Sequence, residues 1–528
     1  MYDLLIQGGT VVDGTGQKPY RADVAVENGM IAAVAPHIDA GRAREVIDAT
    51  GLVVAPGFID IHSHSDDEFL NDERCESRMY QGVTTELMGQ CGFSNYPCPD
   101  TGRGRFAELF ASHVQPYAGC SMAEYIENVT RAGKRMGTNL LPLVGHGTLR
   151  CGVMGWEDRP ATEDELKQMR ALLARDMRDG AWGMSLGLGY TPGVSSTTEE
   201  LCALGCEVAP YGGIITAHMR NQSEHTARSI DELSAIYRAS GVHVHIAHFK
   251  AAEKACWGRA PEFAGYVRAA QAAGVNLTVD LYPYTAAASD ITNSFPHWAI
   301  QGGKKRALER AAGPERARLI EDISKEFATL EDGDNLIVVS TYGLAPECDG
   351  KTARELALAW GVSAAEAVVM IAERSNADAS CVSFLMSESD VDYLLSQNDF
   401  CIGSDGRSFS VRPELNNGKP HPRNFATFPR FLRLARERNL CGLATAVRRI
   451  TGLSADTIGL NDRGYVKEGF VADLTVFDPE RITDRATYLD PFAPNEGIEH
   501  VVMNGALALR NGKQTALRAG HFLLKGRG

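Results

Sequence analysis

Short apolar runs separated by glycine-rich turns fill residues 1–54 of the chain. Similar runs return only near the end, at 472–477 and 500–505. Runs of this length, bounded by turn residues, are typical of antiparallel strands. We therefore expect residues 1–54 and 463–528 to pair into one small β-sandwich domain, with a long insertion between its two halves.

The middle of the chain, 55–462, has a different pattern, in which strand-like and helix-like segments alternate. Helical periodicity occurs, for example, at 162–179 and 230–240. The segments of strand length are 57–64, 84–91, 139–146, 181–188, 213–218, 242–248, 276–282 and 400–405. Eight such strands with intervening helices predict an α/β fold, an insertion-bearing (β/α)8 barrel of TIM type that carries the catalytic site. A doubly wound open sheet is the alternative, but no Gly-x-Gly-x-x-Gly opens a first helix.

The interval between the seventh and eighth predicted strands is much longer than the others. Residues from about 285 to 345 include a basic run at 304–306 and a charged helical pattern near 315–327. Loops at the carboxyl ends of barrel strands are where such folds build their active sites. We therefore expect a small insert or lid within the barrel at this point.

Length and charge restrict the class of protein. At 528 residues the chain is too long for one simple core. A net charge of −14 argues against a nucleic-acid or membrane partner and leaves a small molecule as the expected one. No secretory signal or membrane span stands out, and the 12 cysteines have no framework spacing, which predicts reduced thiols in a cytoplasmic protein. Homo-oligomers are compatible with this composition.

Histidine and cysteine side chains stand where several predicted strands end. His62 and His64 are two residues apart, so on a strand they point the same way and can bind one metal ion. Cys91 ends the second strand next to Gly92. A lone cysteine is often only a small buried apolar residue, but a thiolate at a strand end would bind Zn²⁺ well.

A matched pair of histidines ends the fifth and sixth predicted strands. His218 and His248 each follow an alanine and a β-branched residue, which favours metal ligands over two unrelated core histidines. His243 and His245 precede the strand end, and this position favours packing or solvent roles. Asp405, in a Gly-Ser-Asp-Gly turn after the eighth strand, could take a proton from water and return it to a leaving group.

The fourth predicted strand bears on the number of metal ions. It offers no lysine that could be carboxylated to bridge two ions. With Cys91 available instead, we expect one tightly bound ion and a weak or vacant second site around His62 and His64. No Gly-x-Ser-x-Gly elbow appears at a strand-to-helix turn, and there is no Walker-type phosphate loop, so neither offers a competing chemistry.

These residues give the chain a resemblance to the amidohydrolase superfamily. Within it the chain is most similar to the N-acyl-D-amino-acid deacylase (D-aminoacylase) family. The pair of histidines indicates only the superfamily, whereas the deacylase branch is indicated by the context of Cys91, by Tyr282-Pro283-Tyr284 and by His421-Pro422-Arg423. The similarity covers essentially the whole length, including segments 8–14, 56–64, 145–150, 216–220 and 403–406.

The resemblance implies a zinc cofactor and a division of the metal-type residues. The family's tight zinc site is matched by three residues, Cys91, His218 and His248. Its weaker second site is matched by His62 and His64, which share this site with Asp405. Asp405 also matches the family's catalytic acid and base.

The resemblance also implies a substrate. Lys250, Tyr282 and Arg423 match groups that hold an α-carboxylate, because arginine can bind it with two N–H groups and lysine adds a point charge. Tyr190 matches a tyrosine near the scissile carbonyl. The implied reaction is zinc-dependent hydrolysis of an N-acyl-D-amino acid to a carboxylate and a free D-amino acid.

Substrate preference and alternative functions can also be addressed from the sequence. Between Tyr284 and Trp298 there is no arginine or lysine, so we expect neutral or hydrophobic side chains to be preferred to D-Glu or D-Asp. A cyclic-amide hydrolase of the dihydropyrimidinase or dihydroorotase type is an alternative, although such enzymes usually use the bridging lysine. A non-catalytic scaffold of the same fold is a further alternative, but such scaffolds typically lose metal ligands.

Overall fold

Parallel strands form the centre of the fold. The computed structural model describes residues 1–97, 117, 119–327, 333–416 and 418–526. The central strands are β1 (Phe58–Asp60), β2 (Val83–Met88), β3 (Asn139–Pro142, continued as Val144–Gly145), β4 (Gly183–Gly187), β5 (Ile214–His218), β6 (His243–Ile246), β7 (Leu277–Leu281) and β8 (Cys401–Ile402). Each pairs in parallel with the next, and a Ser63–Gly406 bridge connects the end of β8 with the end of β1. The α/β arrangement predicted from the sequence is therefore confirmed.

Helices lie between most consecutive strands. The helix Glu163–Arg178 shows why these segments are helical. Thr162 caps its first turn in a reciprocal capping box with Glu165, and Met169, Leu173 and Met177 form its buried stripe at a spacing of four residues. The helices outside the long insert are Glu68–Asn71, Glu76–Met79, Met122–Arg131, His146–Met154, Glu163–Arg178, Thr198–Val208, Thr226–Ser240, Ala260–Ala272, Glu388–Leu395, Arg423–Glu437, Leu443–Arg449 and Gly452–Ile458.

The central strands are apolar on both faces. Ile59, Leu141 and Ile214 pack with Ile458 in one cluster of buried residues. Neighbouring strand residues, such as Ile215, belong to a second and larger cluster that includes the surrounding helices. Because side chains of a strand alternate between its faces, the two clusters lie on opposite sides of the parallel strands.

The two ends of the chain come together in extended sheets. A four-stranded sheet is formed by Leu4–Gln7, Asp23–Glu27, Met30–Ala35 and Val46–Asp48. A seven-stranded sheet is formed by Thr10–Val11, Tyr20–Arg21, Val53–Pro56, Leu474–Phe477, Ile498–Met503, Ala506–Arg510 and Lys513–Gln514. The antiparallel ladder between Val53–Pro56 and Leu474–Phe477 joins the amino-terminal and carboxy-terminal segments. Apolar residues of both sheets share one buried cluster.

A further unit lies between β7 and β8. Its antiparallel sheet consists of Ala286–Asp290, Leu336–Ser340 and Ser380–Phe384, with the last strand in the middle. Its helices are His297–Ile300, Gly303–Ala312, Arg316–Phe327, Ala353–Trp360 and Ala364–Arg374, and it has a hydrophobic core of its own. The boundary expected at about residue 345 falls inside this unit, because the middle strand comes from sequence beyond it.

The carboxy-terminal tail fills a seam between β3 and β4. The ladder between these strands begins only at Val144. Before that point, Leu140 donates its N–H to the carbonyl of His521 at 3.0 Å, and Leu523 donates to the carbonyl of Leu140 at 2.9 Å. The indole N–H of Trp182 donates to the carbonyl of Leu523 at 2.7 Å. The tail thus satisfies backbone groups that the neighbouring strand leaves free.

A buried arginine links the strands on either side of the β8–β1 junction. Arg78 contacts Asp60 at 3.3 Å and Glu86 at 3.0 Å, and all three side chains are fully buried. It also donates to the hydroxyl of Ser404, at the end of β8, at 2.9 Å. Burial raises the pKa of Asp60 to about 6, although the charge of Arg78 opposes that shift.

Helix length was also compared with the thickness of a membrane. Within the described ranges no single helix is long and apolar enough to cross one. Two consecutive helices, Ala353–Trp360 and Ala364–Arg374, are long and apolar enough only when taken together, and the chain bends by 93° between them.

The Arg78 contacts predict a large effect on stability. Replacing Arg78 with Met leaves Asp60 and Glu86 buried without their cation, so we expect a loss of about 3–5 kcal/mol in the free energy of unfolding. Denaturant titration followed by circular dichroism measures it. The control is Arg131→Met, which removes an exposed arginine paired with Glu127 on the same helix and should cost less than about 1 kcal/mol. Equal destabilisation of the two variants would contradict the role given to Arg78.

Candidate functional site

Residues from four strand ends converge on one buried cluster. Each of His62, Cys91, His248 and Asp405 offers a ligand atom, and these atoms all lie within 4.8 Å of one another. Among the residues that the structure describes, these four form the one group found whose ligand atoms are close enough together to hold a metal ion. The positions follow β1, β2, β6 and β8, so the convergence reflects the parallel arrangement of the strands.

The backbone at three of these residues has an unusual conformation. Cys91, His248 and Asp405 have φ angles of 53°, 39° and 51°, in the left-handed region that side chains other than glycine rarely adopt. Such conformations cost about 1–2 kcal/mol each and persist where the surroundings impose them. Here they turn the chain sharply at the end of each strand. A Cβ added to Gly187 would lie 2.1 Å from the Cys91 carbonyl, which shows how closely the chain passes this turn.

Cys91 lies between two histidines. Its Sγ is 3.4 Å from Nε2 of His62 and 3.3 Å from Nε2 of His248. Burial alone would raise the pKa of the thiol, but its contacts with the imidazole rings of His248 and His62 and a hydrogen bond from His218 bring this pKa well below its usual value. Cys91 is therefore a thiolate at neutral pH, the form that binds metal.

His218, at the end of β5, adjoins the same cluster. Its Nδ1 lies 2.9 Å from Nε2 of His248, and the two rings meet edge to face with centroids 4.5 Å apart. The ring of Tyr190 lies against His218 at a centroid distance of 4.3 Å. The structure thus brings both residues to the cluster.

Asp405 is held between a histidine and an arginine. Its Oδ1 lies 3.1 Å from Nε2 of His64, and its Oδ2 accepts from Arg423 at 2.7 Å. Burial would raise the pKa of this carboxyl, but the charge of Arg423 and the hydrogen bond to His64 hold it well below its usual range. Asp405 is therefore ionised at neutral pH.

Three residues form one side of the cluster. Lys250 lies 3.2 Å from Nδ1 of His248. The ring of Tyr282 has Lys250 at 5.4 Å and Arg423 at 5.3 Å from its centroid, and its hydroxyl is buried with no hydrogen-bond partner among the described residues. Burial lowers the pKa of Lys250 to about 8. Two cations and an unpaired phenol are thus suited to bind an anionic group.

Asp280 was missed in the sequence, although it lies one residue before the end of β7. Its Oδ2 accepts from Nδ1 of His62 at 3.1 Å and from Nε2 of His245 at 2.9 Å, and its Oδ1 accepts from the backbone N–H of His248 at 2.7 Å. Burial would raise its pKa, but the charge of His62 and hydrogen bonds from His245 and His62 lower it strongly. Its position before the Tyr-Pro-Tyr segment was the available signal. His245 is fully buried against Asp280 rather than facing solvent.

The donor atoms fit a divalent metal ion. Ligands that surround one zinc ion tetrahedrally, at 2.0–2.3 Å, lie about 3.3–3.6 Å apart. The distances of Cys91 from His62 and His248 are 3.4 and 3.3 Å. A thiolate with imidazoles and a carboxylate is a donor set that zinc prefers, and Asp280 orients His62 as carboxylates orient metal-binding histidines elsewhere.

The chain is similar to known proteins over most of its length. A model of the amidohydrolase family matches residues 45–255 and 390–508. The chain is 34% identical over 507 residues to an N-acyl-D-glutamate deacylase of Alcaligenes xylosoxydans xylosoxydans, covering 95% of this chain and 93% of that protein. It is also 34% identical over 536 residues to a D-aminoacylase of the same organism, covering 99% and 98%.

A solved structure is similar over the whole chain. The N-acyl-D-glutamate deacylase of Bordetella bronchiseptica, complexed with zinc and a phosphonate that mimics the tetrahedral intermediate, superposes with a TM-score of 0.83. The sequences are 31% identical, and the match covers 99% of this chain and 100% of that one. The similarity supports the TIM-type fold expected from the sequence.

Metal binding at this cluster should weaken as the pH falls. Burial would lower the pKa of His64, but hydrogen bonds with Asp405 and Cys91 raise it to about 9, and Asp280 and Cys91 raise that of His62 well above its usual value. Both rings are thus protonated at pH 7 without metal, and they must lose these protons when a cation binds to them or beside them.

We expect calorimetric titration with Zn²⁺, in buffers of different ionisation enthalpy, to show about one to two protons released per ion at pH 7. Affinity should rise about tenfold per pH unit for each proton released. The control is His225→Gln, which changes an exposed histidine and should leave proton release unchanged. An affinity that is constant between pH 6 and pH 8 would contradict this assignment of charge.

Proposed function

Because the chain belongs to the amidohydrolase family, we propose that it hydrolyses the amide bond of N-acyl-D-amino acids. The products are a carboxylate and a free D-amino acid. The single observation that carries the proposal is the position of Asp405, an ionised carboxylate in contact with His64 and Arg423 and within 4.8 Å of the thiolate and two imidazoles. The similarity to deacylases over the whole chain supports the substrate class.

Asp405 carries the proton transfers. Asp405 is ionised, so it can accept a proton from water as the water oxygen bonds to the acyl carbon. The protonated carboxyl then delivers that proton to the amide nitrogen as the C–N bond breaks. Arg423, at 2.7 Å, stabilises the ionised form and resets the carboxylate for the next cycle.

The substrate is held by its α-carboxylate. Lys250 and Arg423 supply positive charge next to the Tyr282 ring, at 5.4 Å and 5.3 Å from its centroid. The unpaired Tyr282 hydroxyl can donate to the same carboxylate, and the guanidinium has further N–H groups besides the one that contacts Asp405. Tyr190, against His218, is placed to donate to the acyl oxygen.

Zinc is the proposed metal. Cys91, His218 and His248 would hold one ion tightly, and His62 and His64 with Asp405 would form a weaker second site. The chemistry that zinc supplies when bound is polarisation of the acyl carbonyl and a lower pKa for water. Cys91 lies between the two sets of histidines, so its thiolate offers negative charge to both positions.

We expect the site to prefer substrates whose amino-acid side chain is neutral or hydrophobic. The strand Ala286–Asp290 follows the Tyr-Pro-Tyr segment and contributes Asp290, whose carboxylate pairs with Lys304 at 3.2 Å. Arg407, two residues after Asp405, pairs with Glu68 at 3.3 Å. Both cations are thus already matched by carboxylates, so an acidic substrate side chain would have to compete for them.

Cyclic-amide hydrolysis is a weaker alternative. It usually requires a carboxylated lysine on β4, and that strand, Gly183–Gly187, contains none. A non-catalytic scaffold is weaker still, because each position expected to bind metal has a residue of the required type. Tight binding of two ions per chain, together with turnover of a hydantoin, would favour the cyclic-amide reading.

The proposal includes the organisation of the chain. We assign the catalytic (β/α)8 barrel to 55–462 and a small β-sandwich domain to 1–54 with 463–528. The seven-stranded sheet, which takes strands from both ends of the chain, supports that pairing. The insert, expected at about 285–345, extends in the sheet to residue 384.

Replacing Asp405 with Asn should abolish turnover while zinc still binds. Asn preserves the size of the side chain and is tolerated at the φ of 51° found here, but it cannot accept the proton. We expect kcat to fall by about 100-fold or more, with the zinc content measured by mass spectrometry unchanged. Asp392→Asn, which alters an ion pair with Arg438 outside the cluster, is the matched control. Undiminished turnover by Asp405→Asn would exclude its assigned role.

Substrate preference is tested with a panel of N-acetyl-amino acids. We expect kcat/KM for N-acetyl-D-Met to exceed that for N-acetyl-D-Glu by about tenfold or more, because Lys304 and Arg407 are already paired with carboxylates and a second substrate carboxylate would have to compete for them. N-acetyl-L-Met serves as the control for handedness. A clear preference for the D-Glu substrate would overturn the side-chain assignment without affecting the proposed reaction.

A further inference from the structure

A line of hydrogen-bonded side chains runs from the cluster along the strands. It begins with Nδ1 of His62 at 3.1 Å from Asp280 and continues with Nε2 of His245 at 2.9 Å from the same Asp280 oxygen. Nδ1 of His245 lies 2.7 Å from the hydroxyl of Thr278, which in turn lies 2.8 Å from Nε2 of His243. The last residue begins β6 and the first follows β1, so the line extends from one end of the parallel strands to the other.

The chemistry of the groups fixes the direction of these hydrogen bonds. An ionised carboxylate only accepts, so His62 donates to Asp280 through Nδ1–H and His245 through Nε2–H. With neutral rings, Nδ1 of His245 accepts from the Thr278 hydroxyl, and the Thr278 oxygen accepts from Nε2–H of His243. In this pattern every donor meets an acceptor.

That pattern determines which nitrogen of His62 is free. In the neutral ring that binds metal, the proton on Nδ1 leaves Nε2 unprotonated, facing Cys91 at 3.4 Å and Asp405 at 3.5 Å. The opposite tautomer would point an N–H into the cluster and leave Asp280 without a donor. The neighbour across a histidine ring thus decides whether the ring can bind metal.

We propose that His245 is a positioning residue of the metal centre, which holds Asp280 in the orientation that keeps His62 and His248 ready to bind metal, with Thr278 fixing the ring of His245. The inference rests on the proposed function, because it concerns the same metal centre. His245 acts only through Asp280, since both of its nitrogens are already engaged and neither can bind a cation directly.

Burial makes this contact consequential. The side chains of His62 and His245 are 0% exposed and that of Asp280 is 1% exposed, so water cannot replace a missing donor. Asp280 also accepts from the backbone N–H of His248, whose φ is 39°. A shift of this carboxylate would therefore move His62 through its ring and His248 through its backbone.

The test compares three substitutions by their zinc affinity. His245→Phe keeps the ring volume and removes the donor, and we expect zinc to bind about 10–100-fold more weakly. His245→Gln supplies one donor and one acceptor in nearly the same places and should restore the affinity to within about threefold of the unaltered protein. Thr278→Val removes only the hydroxyl and should weaken binding about 2–10-fold. Competition with a chromophoric chelator measures each value.

Two further measurements separate positioning from general stability. His500→Phe replaces another buried histidine, on the strand Ile498–Met503, and should leave zinc affinity unchanged. The melting temperature of each metal-free variant reports on folding. A purely structural role for His245 predicts a lower melting temperature with normal zinc affinity, and that result would overturn the proposal.

The outcomes also distinguish this inference from the proposed function. If the unaltered protein binds no zinc tightly, the proposed metal centre itself fails. If it binds zinc tightly and His245→Phe and Thr278→Val bind equally well, only the role of His245 is refuted. If His245→Phe does not fold, the zinc affinities of Thr278→Val and His245→Gln decide the matter, because these two substitutions change the side-chain volume less. Unaltered affinity in Thr278→Val would then refute the role of His245.

Discussion

The proposed metal centre depends on one buried carboxylate that stays ionised. Removing a carboxylate from water is costly, and in isolation Asp280 would be protonated. Three donors, from His62, His245 and the backbone of His248, instead converge on its two oxygens and lower its pKa strongly. His62 follows β1, and His245 and His248 lie on or just after β6, whereas Asp280 lies near the end of β7. The hydrogen bonds that stabilise the charge of Asp280 therefore also fix the relative positions of these strand ends.

A second buried charge secures the other side of β1. Arg78 bridges Asp60 at the end of β1, Glu86 on β2 and Ser404 after β8. The segment that carries His62 is therefore held by ionic contacts from both directions, those of Arg78 and those of Asp280. Neither Arg78 nor Asp280 is itself a proposed metal ligand. Their effect is to make the position of the metal-binding histidines a consequence of the packing of strand ends rather than of a flexible loop.

The sequence predicted those parts of the molecule that depend on local pattern. The eight parallel strands and the strand-end residues from His62 to Asp405 follow from alternating apolar segments and could be located to within a few residues. The end of the insert could not, because its middle strand, Ser380–Phe384, pairs with segments far away in sequence. Asp280 was missed because its importance comes from its partners, and left-handed backbone at Cys91 leaves no residue-type signal when the residue is not glycine.

The charges in the cluster explain how a site so deeply buried can be stable without a cation and still bind one. Cys91 and Asp405 are ionised, and they help to raise the pKa values of His62 and His64, so that these rings carry protons whose positive charge balances the thiolate and the carboxylate. A divalent cation at the proposed site would displace about one to two such protons, so the total charge inside the protein would change little. Metal binding is then an exchange of cations rather than the addition of charge to an apolar interior. The protein therefore avoids the large desolvation cost that an unbalanced thiolate and carboxylate would impose on the folded state.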